Sequence, residues 1–264
     1  MIGNKSVSLA ITSSRRIHLL RMALKSFTVF CKDLPNIDNV MFFDDSSSTE
    51  DKKEMEELID RLFPNQNKSV THFYPESFPD GYRHSRILNT LRRRLIETGT
   101  DYFFLLEDDY LFVNHFSVSE TIDLLEKNEE YAYAGFSQSY KNFPEHINPK
   151  IIGDWWEWYY DPNLPINCSL FLDDVSACQT MIPNFWMYYI NWPSFSLRPG
   201  THHVGRFLSV GEFSTSYDTE NMRTELEFSI RWAKKYKSLF HRDFFVVNLA
   251  WEASKSSYSL NNSN

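Results

Sequence analysis

Several function classes are excluded by what this sequence has little of. Cysteine is scarce: 264 residues hold only 3, and Cys31, Cys168 and Cys178 show no metal-ligand spacing. An odd number of thiols without such spacing predicts free cysteines in a reducing compartment and not a disulfide framework. No apolar run approaches the ~18 residues that a membrane-spanning helix needs. The opening segment, MIGNKSVSLAITSSRR, has too short an apolar stretch for a secretory leader and runs straight into Arg15 and Arg16. Basic residues do not predominate. Lys and Arg number 27 against 35 Asp and Glu, a net charge of -8, which argues against a protein that tracks nucleic-acid phosphates. Internal repeats and flexible linkers are also missing. These absences predict a cytoplasmic protein, soluble or held only at a membrane surface.

Aromatic residues are abundant instead. Phe 22, Tyr 14 and Trp 7 amount to 16% of the chain. So many rings imply a large core, a stacking surface, or both.

The first 140 residues alternate between two periodicities. VSLAIT (residues 7–12) reads as a buried strand. Ser13 or Ser14 is placed to cap a helix carrying Ile17, Leu20, Leu24 and Phe27 at helical spacing. NVMFF (39–43) reads as a second strand and ends in Asp44-Asp45. A helix with Met55, Leu58, Ile59 and Leu62 follows, with Ser48 and Asp51 at capping-box separation. A third strand is expected near 70–74, and a helix over 85–97 stops at Gly99. YFFLL (102–106) then runs into Glu107-Asp108-Asp109. The pattern predicts an α/β fold with βαβ units and a largely parallel sheet. Such sheets bind ligands beyond the carboxyl ends of their strands, where both acidic groups fall.

After YAYAGFS (131–137) the pattern becomes irregular. Residues 140–199 carry Trp155, Trp156, Trp158, Trp186 and Trp192, and read as a second lobe on the same sheet. A helix is expected over about 219–236 and a strand over about 244–249.

Adjacent carboxylates repel, so a strand end keeps Glu107, Asp108 and Asp109 only if they are solvated, used as caps, or neutralised by a cation. Hard divalent ions are often held by one or two carboxylates together with substrate phosphates. Asp44-Asp45 has an alternative use as a helix cap. The run Arg92-Arg93-Arg94 reads as a solvated helix face. His202-His203, in RPGTHHVG, and His241 read as loop or core-capping histidines ahead of metal ligands. The aromatic residues near 155–160 divide between core and an acceptor platform, with Asp154, Glu157 and Asp173-Asp174 as candidate partners for acceptor hydroxyls.

As a set, VSLAIT, FFDDSSSTED, Arg86 and Asn89 in RHSRILNTLRR, and FFLLEDDYLF resemble the nucleotide-sugar glycosyltransferases of the GT-A fold, above all the inverting family-2-like group. The resemblance covers about residues 5–113. It implies a GT-A (Rossmann-like) sheet flanked by helices with an aromatic-rich acceptor lobe. Residues 1–137 would form a nucleotide-sugar-binding half and 138–255 an acceptor-binding half of one compact domain, with a polar tail over 256–264. It implies that Thr12 lies near the nucleoside, Asp45 contacts the base, Asp44 supports that loop and Arg86 approaches the diphosphate. Glu107 and Asp109 would match the two acids of Asp-x-Asp, with Mn²⁺ or Mg²⁺ held chiefly by Asp109, and with Asp108 beside the substrates. The rings of Trp155 and Trp156 are expected beside the acceptor from their aromatic character alone, because sugar faces stack on such rings. Two departures stand out: Glu for the first acid, and Ser47 where the family has Gly. In DTENMRTELEFSIRW, matching EFSIR to the family's Asp-Leu-x-x-Arg pattern places Glu225 at the general-base position, with Asp218 and Glu220 as competitors.

The implied activity is metal-dependent, inverting transfer of a sugar (a hexosyltransferase-type reaction) from a nucleotide diphosphate to a hydroxyl of a glycan or lipid-linked acceptor. A sugar-phosphate nucleotidyltransferase is the alternative enzyme, but its glycine-rich loop is replaced here by TSSRR. A non-catalytic glycan-binding protein would use the aromatic rings alone.

Overall fold

A computed structural model describes residues 5–74, 83–136, 150–158, 195–215, 221–243 and 245–249. The first half follows the expected alternation: β1 (Val7–Ser13), α1 (Ile17–Phe30), β2 (Asn39–Asp45), α2 (Thr49–Leu62), β3 (Asn67–Phe73), α3 (Arg83–Thr98) and β4 (Tyr102–Glu107). The strands β1, β2 and β4 are buried on both faces, as runs such as VSLAI and YFFLL require when helices cover both sides of a sheet. Ser48 caps α2 by accepting from the Asp51 amide at 3.1 Å. Gly99 ends α3 with φ at +63°, a conformation that costs glycine little.

The chain continues with β5 (Tyr110–Phe112), α4 (Val118–Glu126), β6 (Tyr131–Gly135), β7 (Lys150–Ile152), β8 (Trp155–Trp158), β9 (Gly200–His203), α5 (Val204–Ser209), α6 (Asn221–Ala233), β10 (Lys237–His241) and β11 (Val246–Asn248). Among the described residues the main sheet has nine strands in the order β3-β2-β1-β4-β9-β6-β10-β8-β7. Its pairings orient seven strands one way, with β8 and β9 opposed. The sheet is therefore mostly parallel. β5 and β11 form a separate antiparallel ribbon.

The structure departs from the sequence reading in four places. First, GTHH is not a loop but β9, which lies antiparallel between β4 and β6. Its short length and its glycine hid it. Gly200 is required there, because a Cβ would lie 2.6 Å from the Gly135 Cα. Second, β10 is an additional strand between β6 and β8. Third, neither Ser13 nor Ser14 caps α1; the N-cap is Arg16, with no side-chain cap. Fourth, Arg92 is buried, not solvated. It donates to the Phe207 and Leu208 carbonyl oxygens at 3.0 and 2.9 Å, satisfying groups at the end of α5, while Arg93 and Arg94 stay exposed.

The core has a layer on each face of the sheet. One is built around Phe27, Phe104, Phe112 and Phe116, the other around Phe103, Phe195, Phe207, Phe228 and Trp232. His202 sits inside the second layer. It stacks on Phe103 at 4.6 Å and meets Tyr133, Phe195, Phe207 and Trp232, and neither ring nitrogen has a hydrogen-bond partner. Burial pushes its pKa down to about 3. An unfolded chain would protonate this imidazole near its ordinary value while the folded chain would not, so its contribution to stability falls as pH drops below about 6.5. At pH 5 the expected loss relative to pH 7 is about 2 kcal/mol. His202→Phe should flatten that slope in urea titrations at the two pH values. An unchanged slope would mean that this imidazole is protonated in the fold.

Candidate active site

The strand order reverses at β1, which has β2 on one side and β4 on the other. This switch point brings three strand ends together. Thr12 is in register with Glu107, and Ser13 with Asp44. The Asp108 amide donates to the Thr12 carbonyl at 3.1 Å, so the acidic turn stays tied to β1 beyond the last strand pair.

On the β2 side, Asp44 is fully buried and locks its own turn. It accepts from the Ser47 amide at 3.4 Å, from the Ser47 hydroxyl, and at 3.1 Å from His72 Nδ1, whose other nitrogen meets Glu56 at 2.8 Å. Ser47, standing where the resembled family has Gly, is thus used through its hydroxyl. The turn bends at Ser46, which has φ of 63°, and Arg15 Nε donates to the Ser46 carbonyl at 3.1 Å. Asp45 is half-buried, accepts from the Ser46 hydroxyl at 2.8 Å and faces His84 of α3. Burial lowers the His84 pKa to about 4 against the pull of Asp45. Sequence reasoning gave His84 no role, and nothing in RHSRILN marks it.

On the β4 side, Asp108 is fully buried and accepts from Ser13 Oγ at 2.8 Å, the Ser14 amide at 3.1 Å, Arg16 Nε at 3.2 Å and Arg16 Nη2. Ser13 and Ser14, expected as helix caps, are used here. Asp109 meets Arg16 Nη1 at 3.4 Å through one oxygen, while its other oxygen, Oδ1, is buried without a hydrogen-bond partner. The backbone of Asp109 is held by the Leu249 amide at 2.7 Å, which anchors the β5–β11 ribbon against the acids.

Glu225 lies in the second turn of α6. The Ser85 hydroxyl donates to Thr224 Oγ1 at 3.2 Å, joining the starts of α3 and α6, and Arg86 follows on the first turn of α3, half-buried. Asn89 clamps the Phe213 backbone with two bonds of 2.9 Å. The Leu197 amide donates to Glu225, and Arg198 is its nearby cation. The Tyr133 hydroxyl holds this segment by donating to the Arg198 carbonyl at 3.0 Å.

Four carboxyl groups therefore share one buried region with Arg16 and Arg198. Burial, then the charges of Asp109, Glu225 and Asp108, push Glu107 well above the ordinary carboxylate range, with Arg16 opposing. Burial raises Asp108 to about 6 against Arg16, and raises Asp109 as well. Burial raises Glu225 to about 7 against Arg198 and the Leu197 amide. Burial works against the Arg16 charge, yet Asp108, Asp109 and Glu107 hold its pKa above the usual arginine value.

Two expected residues lie elsewhere. Trp155 and Trp156 are on β8, four strand spacings from β4 or ~19 Å. Trp155 is buried against Phe136 and His241, so it belongs to the core, and Trp156 is half-buried. Glu157 is also inward, accepting from the Tyr131 hydroxyl at 2.6 Å and pairing with Lys237 at 3.3 Å. His203 caps α5, and neither it nor His202 joins the acids. Asp173-Asp174, Trp186, Trp192, Cys168, Cys178, Asp218 and Glu220 lie outside the described residues.

The arrangement matches known structures closely enough to identify the fold. It superposes on the mannosyltransferase PcManGT from Pyrobaculum calidifontis, in complex with GDP-Man and Mn²⁺, with a TM-score of 0.59 at 10% identity, covering 92% of this chain and 56% of that one. For S. aureus TarS 1-349 the TM-score is 0.57 at 9% identity, covering 91% and 59%. For GalNAc-T7 with UDP, GalNAc and Mn²⁺ it is 0.57 at 9% identity, covering 90% and 43%. The fold is GT-A. This chain spans between 43% and 59% of the length of those three matched chains, and 36% of the longer TarS chain. No protein family and no curated protein sequence matches it. In GT-A terms, β1, β2 and β4 with their acidic ends form the Rossmann-like part, and β9 joins that part to β6 and β10.

The donor set suits a divalent cation shared with a ligand more than a closed protein cage. Among the described residues no three His, Cys, Asp or Glu side chains converge to hold a metal by themselves. Yet acids outnumber bases four to two in this buried region, and Asp109 Oδ1 is unpartnered. Hard cations completed by substrate phosphates are held in this way. Among the described residues no helix is long and apolar enough to cross a membrane.

Proposed function

We propose that this chain is a metal-dependent glycosyltransferase that moves a sugar from a nucleotide diphosphate to an acceptor hydroxyl with inversion, Glu225 acting as general base. The observation that carries this reading is the unpartnered, buried Asp109 Oδ1 beside Glu107, at a switch point that Glu225 also faces. The acceptor class is a glycan or a lipid-linked acceptor, as the resemblance implies.

Each residue has a defined task. Asp109 and Glu107 would hold Mn²⁺ or Mg²⁺, whose charge would offset that of the diphosphate leaving group. Asp108 fixes the β1–α1 corner against the acidic turn. Asp45 meets the base, on a turn that Asp44 makes rigid, and Thr12 lies near the nucleoside. Arg86 approaches the diphosphate from α3. Glu225, poised near neutrality, accepts the proton of the acceptor hydroxyl as it attacks the anomeric carbon, while the bond from that carbon to the diphosphate breaks.

The test is thermal unfolding with Mn²⁺ and a panel of nucleoside diphosphates. A rise in Tm is expected with one base when Mn²⁺ is present, and Asp109→Ala should abolish it. No shift with any nucleotide, with or without metal, would overturn the proposal. A lectin would keep binding glycan after Asp109→Ala. A nucleotidyltransferase would release pyrophosphate from a nucleoside triphosphate and a sugar phosphate.

A further inference from the structure

The β1–α1 corner carries a cation whose position has its own consequence. Arg16 is the N-cap of α1, with φ of -130° and ψ of 50°, and the first turn of that helix holds no acidic residue. The start of a helix bears partial positive charge, so an arginine there is unfavourable without anions nearby. The anions are Asp108 and Asp109, and the Arg16 side chain is only 13% exposed between them. Its two contacts with Asp108 form a bidentate tie. Its contact with Asp109 is long, at 3.4 Å, where charge-assisted bonds usually measure about 2.7–2.9 Å. Asp109 Oδ1 meanwhile has no partner. Asp108 is thus held firmly, whereas Asp109 has one long contact with Arg16 and leaves Oδ1 without a hydrogen-bond partner.

We infer that Arg16 is the resident counter-charge of Asp109, and that it makes the divalent cation and the nucleoside diphosphate bind as a pair. This rests on the reading of the site given above. A divalent cation arriving alone meets the Arg16 guanidinium and the positive end of α1. A diphosphate arriving alone meets Glu107, Asp109 and Glu225. With both bound, Asp109 would hold the cation. Arg16 stays anchored on Asp108 through Nε and Nη2, and its Nη1 is released to the diphosphate. Each ligand removes the repulsion opposing the other, so by linkage each raises the affinity of the other by the same factor.

The experiment measures Mn²⁺ binding by electron paramagnetic resonance, with and without UDP or GDP, and needs no turnover. In the native chain Mn²⁺ alone should bind weakly, and the accepted nucleotide should tighten it about 5- to 150-fold. In Arg16→Met, Mn²⁺ alone should bind more tightly than in the native chain, and enhancement by nucleotide should largely vanish. Arg16→Gln keeps one donor for Asp108 without the charge, and should behave in the same way if methionine disturbs the corner. Arg16→Lys should keep most of the enhancement. Unchanged Mn²⁺ affinity and undiminished enhancement in folded Arg16→Met or Arg16→Gln would overturn this inference while leaving the proposed function intact. A native chain that binds neither Mn²⁺ nor any nucleotide would overturn both.

Discussion

Glu225→Gln is expected to lower kcat by about 100- to 10,000-fold, the usual contribution of a positioned general base, and to leave the fold in place. Glutamine keeps the size of the side chain and can still accept from the Leu197 amide, so the start of α6 has no reason to move. What it lacks is a site for the acceptor proton. The pH profile adds a second signature. The proposed base role needs an ionised Glu225, and burial lifts its pKa to about 7. The rate, followed as kcat/KM, should therefore rise with pH up to about 7 and level off above it. The residual rate of Glu225→Gln should lack that inflection. An unchanged rate and profile in the variant would move the base role elsewhere, with Asp218 and Glu220 the next to test.

The second large effect falls on stability. Asp108→Ala should destabilise the protein by about 3–5 kcal/mol, the range seen when one partner of a buried ion pair is removed. The carboxylate is fully buried, and its loss strands the Ser13 hydroxyl, the Ser14 amide and two donors of Arg16 together. Asp109→Asn should behave in the opposite way. It weakens one long contact with Arg16, which keeps both of its bonds to Asp108, so the loss should be that of a single hydrogen bond, about 1 kcal/mol. Its rate should fall, because the proposed mechanism assigns the cation to this carboxylate. Urea titrations and initial rates of the two variants separate the acid that holds the fold from the acid proposed to hold the cation. Equal loss of stability in both would refute this division.

These neighbouring acids show where a sequence is readable and where it is not. Local features were legible. The apolar runs of β1, β2 and β4, the cap at Ser48 and the stop at Gly99 depend on residues a few positions apart, and the acidic strand ends follow from them. The different bonding of Asp108 and Asp109 was not legible, because it depends on Arg16 and Ser13, more than 90 positions away. The same holds for Arg92, whose neighbours suggest a solvated face while its partners lie on α5. β9 escaped notice because four residues with a glycine carry almost no periodicity; its place between β4 and β6 is set by the close approach of Gly135 and Gly200. Trp155 is a rarer failure of type. An aromatic-rich segment suggests a platform for sugars, and its register on β8 turns this indole towards Phe136 and His241 instead.

The position of β9 also imposes a timetable on synthesis. β4 ends at Glu107, and its free edge waits for a partner that begins at Gly200. A ribosome must therefore add more than 90 residues while that edge stays open. At about 5–20 residues per second, the interval is on the order of 5 to 20 seconds. During it, the β3-β2-β1-β4 block presents an unpaired, aromatic-rich strand of the kind that recruits foreign strands. The nascent chain is most exposed to aggregation in that window, and the arrival of four residues, GTHH, closes it.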